Sequence, residues 1–230
     1  MNTLLELRNI EKKYGDDVIL SKVSFTLAKG TAIAIIGHSG GGKTTLLSIM
    51  GLLQQATSGN VLVDAIDIGG LDSYQLAKLR GQYLGFVFQR ARLINSLTAL
   101  ENVMAPAWFI RRGANMEQQA KDLLERFGLS HRLDHKPQEL SLGQLRRISL
   151  ARALLLKPPI LLADEPTNDL DPALVKEVAE CLLTARTEGA GVVIVTHDPN
   201  LANQADQTFR LEDGTLKPSY TITPHLKKTF

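Results

Sequence analysis

Gly37-His38-Ser39-Gly40-Gly41-Gly42-Lys43-Thr44 decides the reading of this 230-residue chain. The stretch fits G-x-x-x-x-G-K-[ST]. It stands between an apolar run, Thr31-Ala32-Ile33-Ala34-Ile35-Ile36, and a helical segment, Thr45-Leu46-Leu47-Ser48-Ile49-Met50. Strand, glycine loop and helix in that order form the context in which this pattern cradles phosphate. The glycines let the backbone curl so that successive N–H groups point inward, and the helix N-terminus adds positive potential at the same spot. Lys43 then reaches β- and γ-phosphates, and the Thr44 hydroxyl is placed to ligate Mg²⁺. A glycine-rich turn with a surface lysine is the competing reading, and the flanking pattern weighs against it.

Composition bounds the rest. The chain is long enough to bury a full core, as one large domain or a domain with a small lobe. It is 44% hydrophobic and 22% charged, ordinary for a soluble globular protein. A formal charge of +2 gives no strong basic field, so nucleic acid is not an expected partner. One cysteine excludes an internal disulfide and suits a reducing compartment. No apolar run approaches a bilayer span, and Met1 to Glu6 lacks the features of a signal peptide, so a cytosolic address is expected.

Outward from the glycine loop, Leu5 and Leu7 alternate with polar neighbours, and Val18 to Leu27 is a second β-rich run. Gly59 to Asp64 reads as a third strand, and Tyr83 to Phe88 as a buried one. Capping-box pairs Asp72/Gln75, Thr98/Glu101 and Ser141/Gln144 each open a helix; the first two helices run to about Arg80 and Ile110, and the third covers Leu145 to Leu156. Asn115 is placed to cap a further helix to Phe127, with Gly128 as its stop. Residues 89–141 therefore read as a helical lobe inserted into an α/β domain. The βα rhythm then returns. Ile160 to Ala163 and Gly191 to Thr196 are buried strands, Asp171-Pro172 opens a helix, and Gln207 to Leu216 is a closing hairpin. The segment after Pro218 shows no period.

Several residues carry chemistry. Asp164 and Glu165 end an apolar strand, where one carboxylate is placed to hold Mg²⁺ and the next to polarise a water; an acidic turn before a helix is the competing reading, and the wholly apolar strand weighs against it. His197 follows a buried strand, within reach of a γ-phosphate, although a lone histidine there is more often structural. Gln89 is, by itself, a polar strand terminus. Ser141 is both a helix cap and part of a good anion site, and the two roles are compatible. His131 and His135 lack a second ligand pair, Cys181 sits on an apolar helix face, and Arg111-Arg112 and Lys227-Lys228 read as solvated charges.

Taken together these pieces resemble the nucleotide-binding domain of the ATP-binding-cassette (ABC) family, from about Leu5 to Leu216. The order matches: Tyr14 as adenine-stacking aromatic, the phosphate loop, Gln89 as the Q-loop glutamine, then the signature Leu140-Ser141-Leu142-Gly143-Gln144. The strand with Asp164-Glu165, the D-loop Asn168-Asp169-Leu170-Asp171 and the switch histidine His197 follow. Leu142 departs from the family, which usually has glycine there. The segments Gly85 to Gln89, Leu97 to Val103 and Ala163 to Asn168 look like the lipoprotein-release, macrolide-export and cell-division group.

The resemblance implies a P-loop NTPase core with a mainly parallel sheet, an N-terminal antiparallel β subdomain and the helical insertion. It implies a cassette over 1–218 and a tail over 219–230. ATP and Mg²⁺ would be held by Gly37, His38, Ser39, Gly40, Gly41, Gly42, Lys43, Thr44, Thr45, Gln89 and Asp164, with Tyr14 on the base. Thr44, Gln89 and Asp164 would serve the metal. Ser141, Gly143 and Gln144 of a second copy would cap the γ-phosphate in a head-to-tail dimer. Glu165 would orient the hydrolytic water while His197 steadies the phosphate. A separate transmembrane permease would hold the dimer at the inner face of the membrane, docked near Gln89 to Leu100. Two alternatives stay open: a soluble ABC ATPase outside transport, and a regulatory subunit that closes on ATP but hydrolyses it weakly.

Overall fold

A computed structural model of the chain describes residues 2–110, 115–168 and 170–219. Arg111-Arg112, Asp169 of the D-loop, and the tail from Tyr220 onward, Lys227-Lys228 included, lie outside the described residues. The chain starts as a long hairpin, β1 (Thr3–Tyr14) and β2 (Asp17–Ala28), followed by β3 (Ala32–Ile36), α1 (Lys43–Met50), β4 (Ser58–Val63) and the two-residue β5 (Ile66–Asp67). Next come α2 (Ser73–Tyr83), β6 (Leu84–Val87), α3 (Ala99–Ile110) and α4 (Met116–Arg126). Then follow α5 (Leu142–Leu154), β7 (Ile160–Asp164), α6 (Pro172–Thr187), β8 (Gly191–Val195), the short α7 (Pro199–Ala202), β9 (Gln207–Glu212) and β10 (Thr215–Pro218).

These elements form two sheets. The antiparallel one has the order β2-β1-β4-β5, and the six-stranded one the order β10-β9-β3-β8-β7-β6. In the second, β3, β6, β7, β8 and β9 run parallel, and β10 pairs antiparallel at the edge. Apart from Asp164 at the end of β7, its central strands are apolar because both faces are covered. Side-chain alternation splits each strand between two cores. Ile33, Ile35, Ile160, Leu162, Val193 and Val195 face α1 and the antiparallel sheet. Ala32, Leu161, Ala163, Val192 and Ile194 face α5, α6 and the lobe.

All three capping boxes form. Asp72 and Gln75, Thr98 and Glu101, and Ser141 and Gln144 each exchange the reciprocal side-chain to backbone bonds that satisfy first-turn amides. Asn115 occupies the N-cap position of α4, but its side chain makes no capping bond. Helix α5 begins at Leu142, three residues before the expected start, because the cap itself starts the helix. The 89–141 stretch holds α3, α4 and two short 3₁₀ turns, Ser130–Arg132 and Pro137–Glu139.

At Gly85 on β6, an added Cβ would lie 2.6 Å from the Ala153 carbonyl oxygen and 2.6 Å from Pro158 Cγ. The strand meets α5 and the following turn too closely for a side chain. Gly85→Ala should cost about 1–3 kcal/mol, seen as a lowered denaturation midpoint with an unchanged m-value. A midpoint equal to wild type would contradict this packing.

Candidate functional site

The glycine loop joins the C-terminal end of β3 to α1, the edge of a parallel sheet where ligand sites gather. Gly42 is the N-cap of α1 with φ 89°, and no side chain caps the helix. An added Cβ there would stand 3.2 Å from the Ile19 carbonyl oxygen, so both the angle and the space call for glycine. The first amides of α1 thus face the loop without a side-chain acceptor or a first-turn acid, which suits an anion.

Lys43 is buried, and its Nζ donates to the carbonyl oxygens of Gly37 and His38, each at 2.9 Å. The same ammonium lies 4.0 Å from Glu165 Oε1. The neighbouring Thr44 hydroxyl points at Asp164 Oδ1, 3.4 Å away, a long contact. Asp164 ends β7 and is itself buried. Burial pushes its carboxyl above the ordinary carboxylate range and nearby Glu165 adds to this, while the Thr44 hydroxyl, Lys43 and Arg92 pull it back.

Glu165 takes a left-handed backbone, φ 43°, and its N–H donates to the Val195 carbonyl at 2.8 Å. That bend moves the chain off the strand end and swings the side chain across the sheet edge. Oε2 accepts the His197 backbone N–H at 3.2 Å and stands 2.9 Å from Nδ1 of the same ring. A carboxylate only accepts, so the proton of that contact sits on Nδ1. The ring is 64% exposed, with Nε2 left for another partner.

Other expected residues lie farther apart. Gln89 follows β6 by two residues, exposed, at the same sheet edge as Asp164. Tyr14 is exposed at the end of β1; its hydroxyl accepts from Gln54 Nε2, and Lys12 Nζ lies 5.0 Å from its ring centre. Ser141 caps α5: its Oγ accepts the Gln144 N–H at 3.3 Å and its own N–H donates to Gln144 Oε1 at 2.9 Å. Gly143 stands where an added Cβ would meet Leu174 Cδ2 of α6 at 3.3 Å. Leu142 opens α5 in right-handed geometry and is 67% exposed. The structure thus brings Lys43, Thr44, Asp164, Glu165 and His197 into one network, and leaves Ser141, Gly143 and Gln144 at the start of α5. Sequence reading missed the left-handed bend at Glu165, for which a non-glycine residue gives no local signal.

Residues 20–168 match the sequence profile of the ABC transporter family. The chain belongs to that family. It is 42% identical over 232 residues to the lipoprotein-releasing system ATP-binding protein LolD of Shewanella denitrificans, covering 95% of this chain and 96% of LolD. Identity to the macrolide export ATP-binding/permease protein MacB of Campylobacter jejuni is 43% over 216 residues, 93% of this chain but 33% of MacB. The chain therefore spans about a third of the MacB proteins it matches. Among solved structures it is similar to the dimeric bacterial ABC transporter cassette MJ0796, with TM-score 0.87, 38% identity and coverage of 93% of this chain and 96% of that one. The dimeric post-hydrolysis state of that cassette, bound to ADP and Pi, gives TM-score 0.89 at 38% identity, covering 96% and 100%. The fold is that of an ABC ATPase cassette, an antiparallel sheet on a P-loop core with helical insertions. Among the described residues no helix is long and apolar enough to cross a membrane.

The raised carboxyl of Asp164 fixes a pH dependence. The folded chain binds that proton more tightly than the unfolded chain, so ionisation costs stability. The cost sets in as pH rises through the ordinary value, 3.8, and is complete above the folded value. Asp164→Asn should therefore raise the denaturation midpoint of the nucleotide-free chain at about pH 7, and the difference should shrink toward about pH 4. A variant less stable than wild type at neutral pH would contradict this.

Proposed function

We propose that the chain is the ATP-binding and ATP-hydrolysing subunit of an ABC transporter or of a membrane-linked force-transmitting complex. The carrying observation is the Lys43 ammonium at the mouth of an uncapped helix, bonded to two loop carbonyls and close to Glu165. A phosphate oxygen is a better partner for that charge than a neutral carbonyl, so a triphosphate completes the arrangement. Thr44 and Asp164 supply a hydroxyl and a carboxylate, oxygen donors that fit Mg²⁺, and Gln89 is assigned as a third ligand. When bound, the ion neutralises charge on the β- and γ-phosphates. Lys43 and the loop residues from Gly37 to Thr45 bind the phosphates, and Tyr14 stacks on the base.

Glu165 serves as the group that orients and polarises the hydrolytic water. His197 holds Glu165 in place and offers its ring to the γ-phosphate. Ser141, Gly143 and Gln144 cap that phosphate from a second copy packed head to tail. The exposure of Ser141 and Leu142 at the start of α5 and the dimeric state of the similar cassettes support this arrangement. The right-handed backbone of Leu142 lets a leucine replace the usual glycine without strain. The cassette is assigned to 1–218, with the lobe at 89–141 and a tail over 219–230. A separate permease, docked near Gln89 to Leu100, holds the dimer at the cytoplasmic face of the membrane; nucleic acid is not a partner.

Glu165→Gln should lower kcat by about 10²–10⁴-fold while the ATP dissociation constant changes little, read by coupled phosphate release and by calorimetry. Wild-type turnover as low as that of the variant would overturn the hydrolase assignment.

A further inference from the structure

The segment between β6 and α3 carries Gln89 and an exposed tip at Ile94, Asn95 and Ser96. Such a connection between two lobes would ordinarily be a hinge. Here it is fastened along its length by side chains of α5 and α3. Arg146, buried in α5, donates to the Phe88 carbonyl beside Gln89. Arg152, a turn and a half further along α5, spreads its fork over two consecutive carbonyls, Nη2 to Ala91 and Nη1 to Arg92, both at 2.8 Å. Asn102 of α3, with no exposed surface, closes the far end. Its Oδ1 accepts the Ile94 N–H at 2.7 Å, and its Nδ2 donates to the carbonyls of Ile94, Leu97 and Thr98 at 2.9–3.1 Å.

A stack of rings stiffens the same stretch. Phe86 and Phe88 lie 4.4 Å apart, and the Arg92 guanidinium sits 5.1 Å from the Phe88 ring centre. Burying the Arg152 guanidinium carries a desolvation cost. Its described hydrogen bonds run to main-chain carbonyls rather than to a carboxylate. A side chain placed at that cost fixes the path of the strap, not a charge balance.

We propose that Arg152, with Arg146, is a positioning residue: it locks the Gln89 strap to α5, so that Gln89 and the phosphate-capping Ser141 travel as one rigid body. Helix α5 is the common member, since Ser141 is its cap and both arginines lie on it. A displacement at the Ile94–Ser96 tip is then delivered to the first turn of α5 instead of being absorbed in the loop. The inference rests on the assignment of Gln89 and Ser141 made above.

The test places nitroxide labels at Arg90 on the strap, beside Gln89 and the Arg152-held carbonyls, and Gln118 on α4, both exposed, in a Cys181→Ala background of the full chain. Pulsed EPR on the nucleotide-free protein should give one narrow distance distribution with Arg152 and a broad one for Arg152→Gln. In the unlabelled chain, Arg152→Gln should lower kcat about tenfold or more, with the ADP dissociation constant within roughly twofold and the thermal midpoint nearly unchanged. Arg152→Lys should fall between wild type and Arg152→Gln in both readouts, and it replaces Arg152→Gln if that variant does not fold. An equally narrow distribution without Arg152 overturns the proposal. So does a kcat loss matched by equal losses of ADP affinity and thermal stability. Absence of turnover in wild type would defeat the hydrolase reading instead, and the label distances would still decide whether the strap is locked.

Discussion

A buried ammonium held by backbone carbonyls is the constraint from which the site follows. Among the described residues, the Lys43 ammonium makes only a long ion pair, 4.0 Å to Glu165, and its nearer partners are the carbonyls of Gly37 and His38. Burying a charge on such terms is tolerable only where the surroundings supply further polar groups. The loop does so: glycines at φ 79° and 89° turn its amides inward, and α1 adds its uncapped N-terminus. Positive potential is concentrated at one point of the sheet edge, and the acids Asp164 and Glu165 from the next strand but one face it.

The two sheets exist, in effect, to hold that point still. Strands β3, β7 and β8 are apolar on both faces, so neither core lets them shift without exposing the other. Their C-terminal ends then carry Lys43, Asp164 with Glu165, and His197 at fixed separations. The lobe is tied to this frame through the strap and through the turn after α5. Its capping serine is bonded to Gln144 of its own helix, and the phosphate it is proposed to cap belongs to a second molecule.

Much of this was legible in the residues. The glycine loop announces itself because its conformation admits few alternatives, and the capping boxes at Asp72 and Thr98 marked helix starts because each satisfies two amides at once, while α5 starts three residues ahead of the expected position. The apolar runs at Ile160 and Gly191 marked the central strands. Other features left no local trace. Asn115 has the right type for a cap, yet its side chain makes no bond. The two-residue β5 depends on tertiary pairing, not on pattern, whereas the short α7 has a local cap, Asp198-Pro199, that the sequence reading passed over. Asn102 is a buried polar residue on a largely apolar helix, and its partners, the 94–98 carbonyls, are brought to it only by the fold. The bend at Glu165 arises from the Val195 carbonyl of a strand 30 residues away in sequence.

Sedimentation of the Glu165→Gln chain with Mg-ATP tests the central claim most directly, paired with the same chain carrying Ser141→Arg. If a triphosphate is gripped between one molecule's phosphate loop and the helix cap of another, the first doubles in mass. The second stays single while still binding one nucleotide per chain. A single mass for both, or loss of nucleotide binding when only Ser141 is changed, would contradict it.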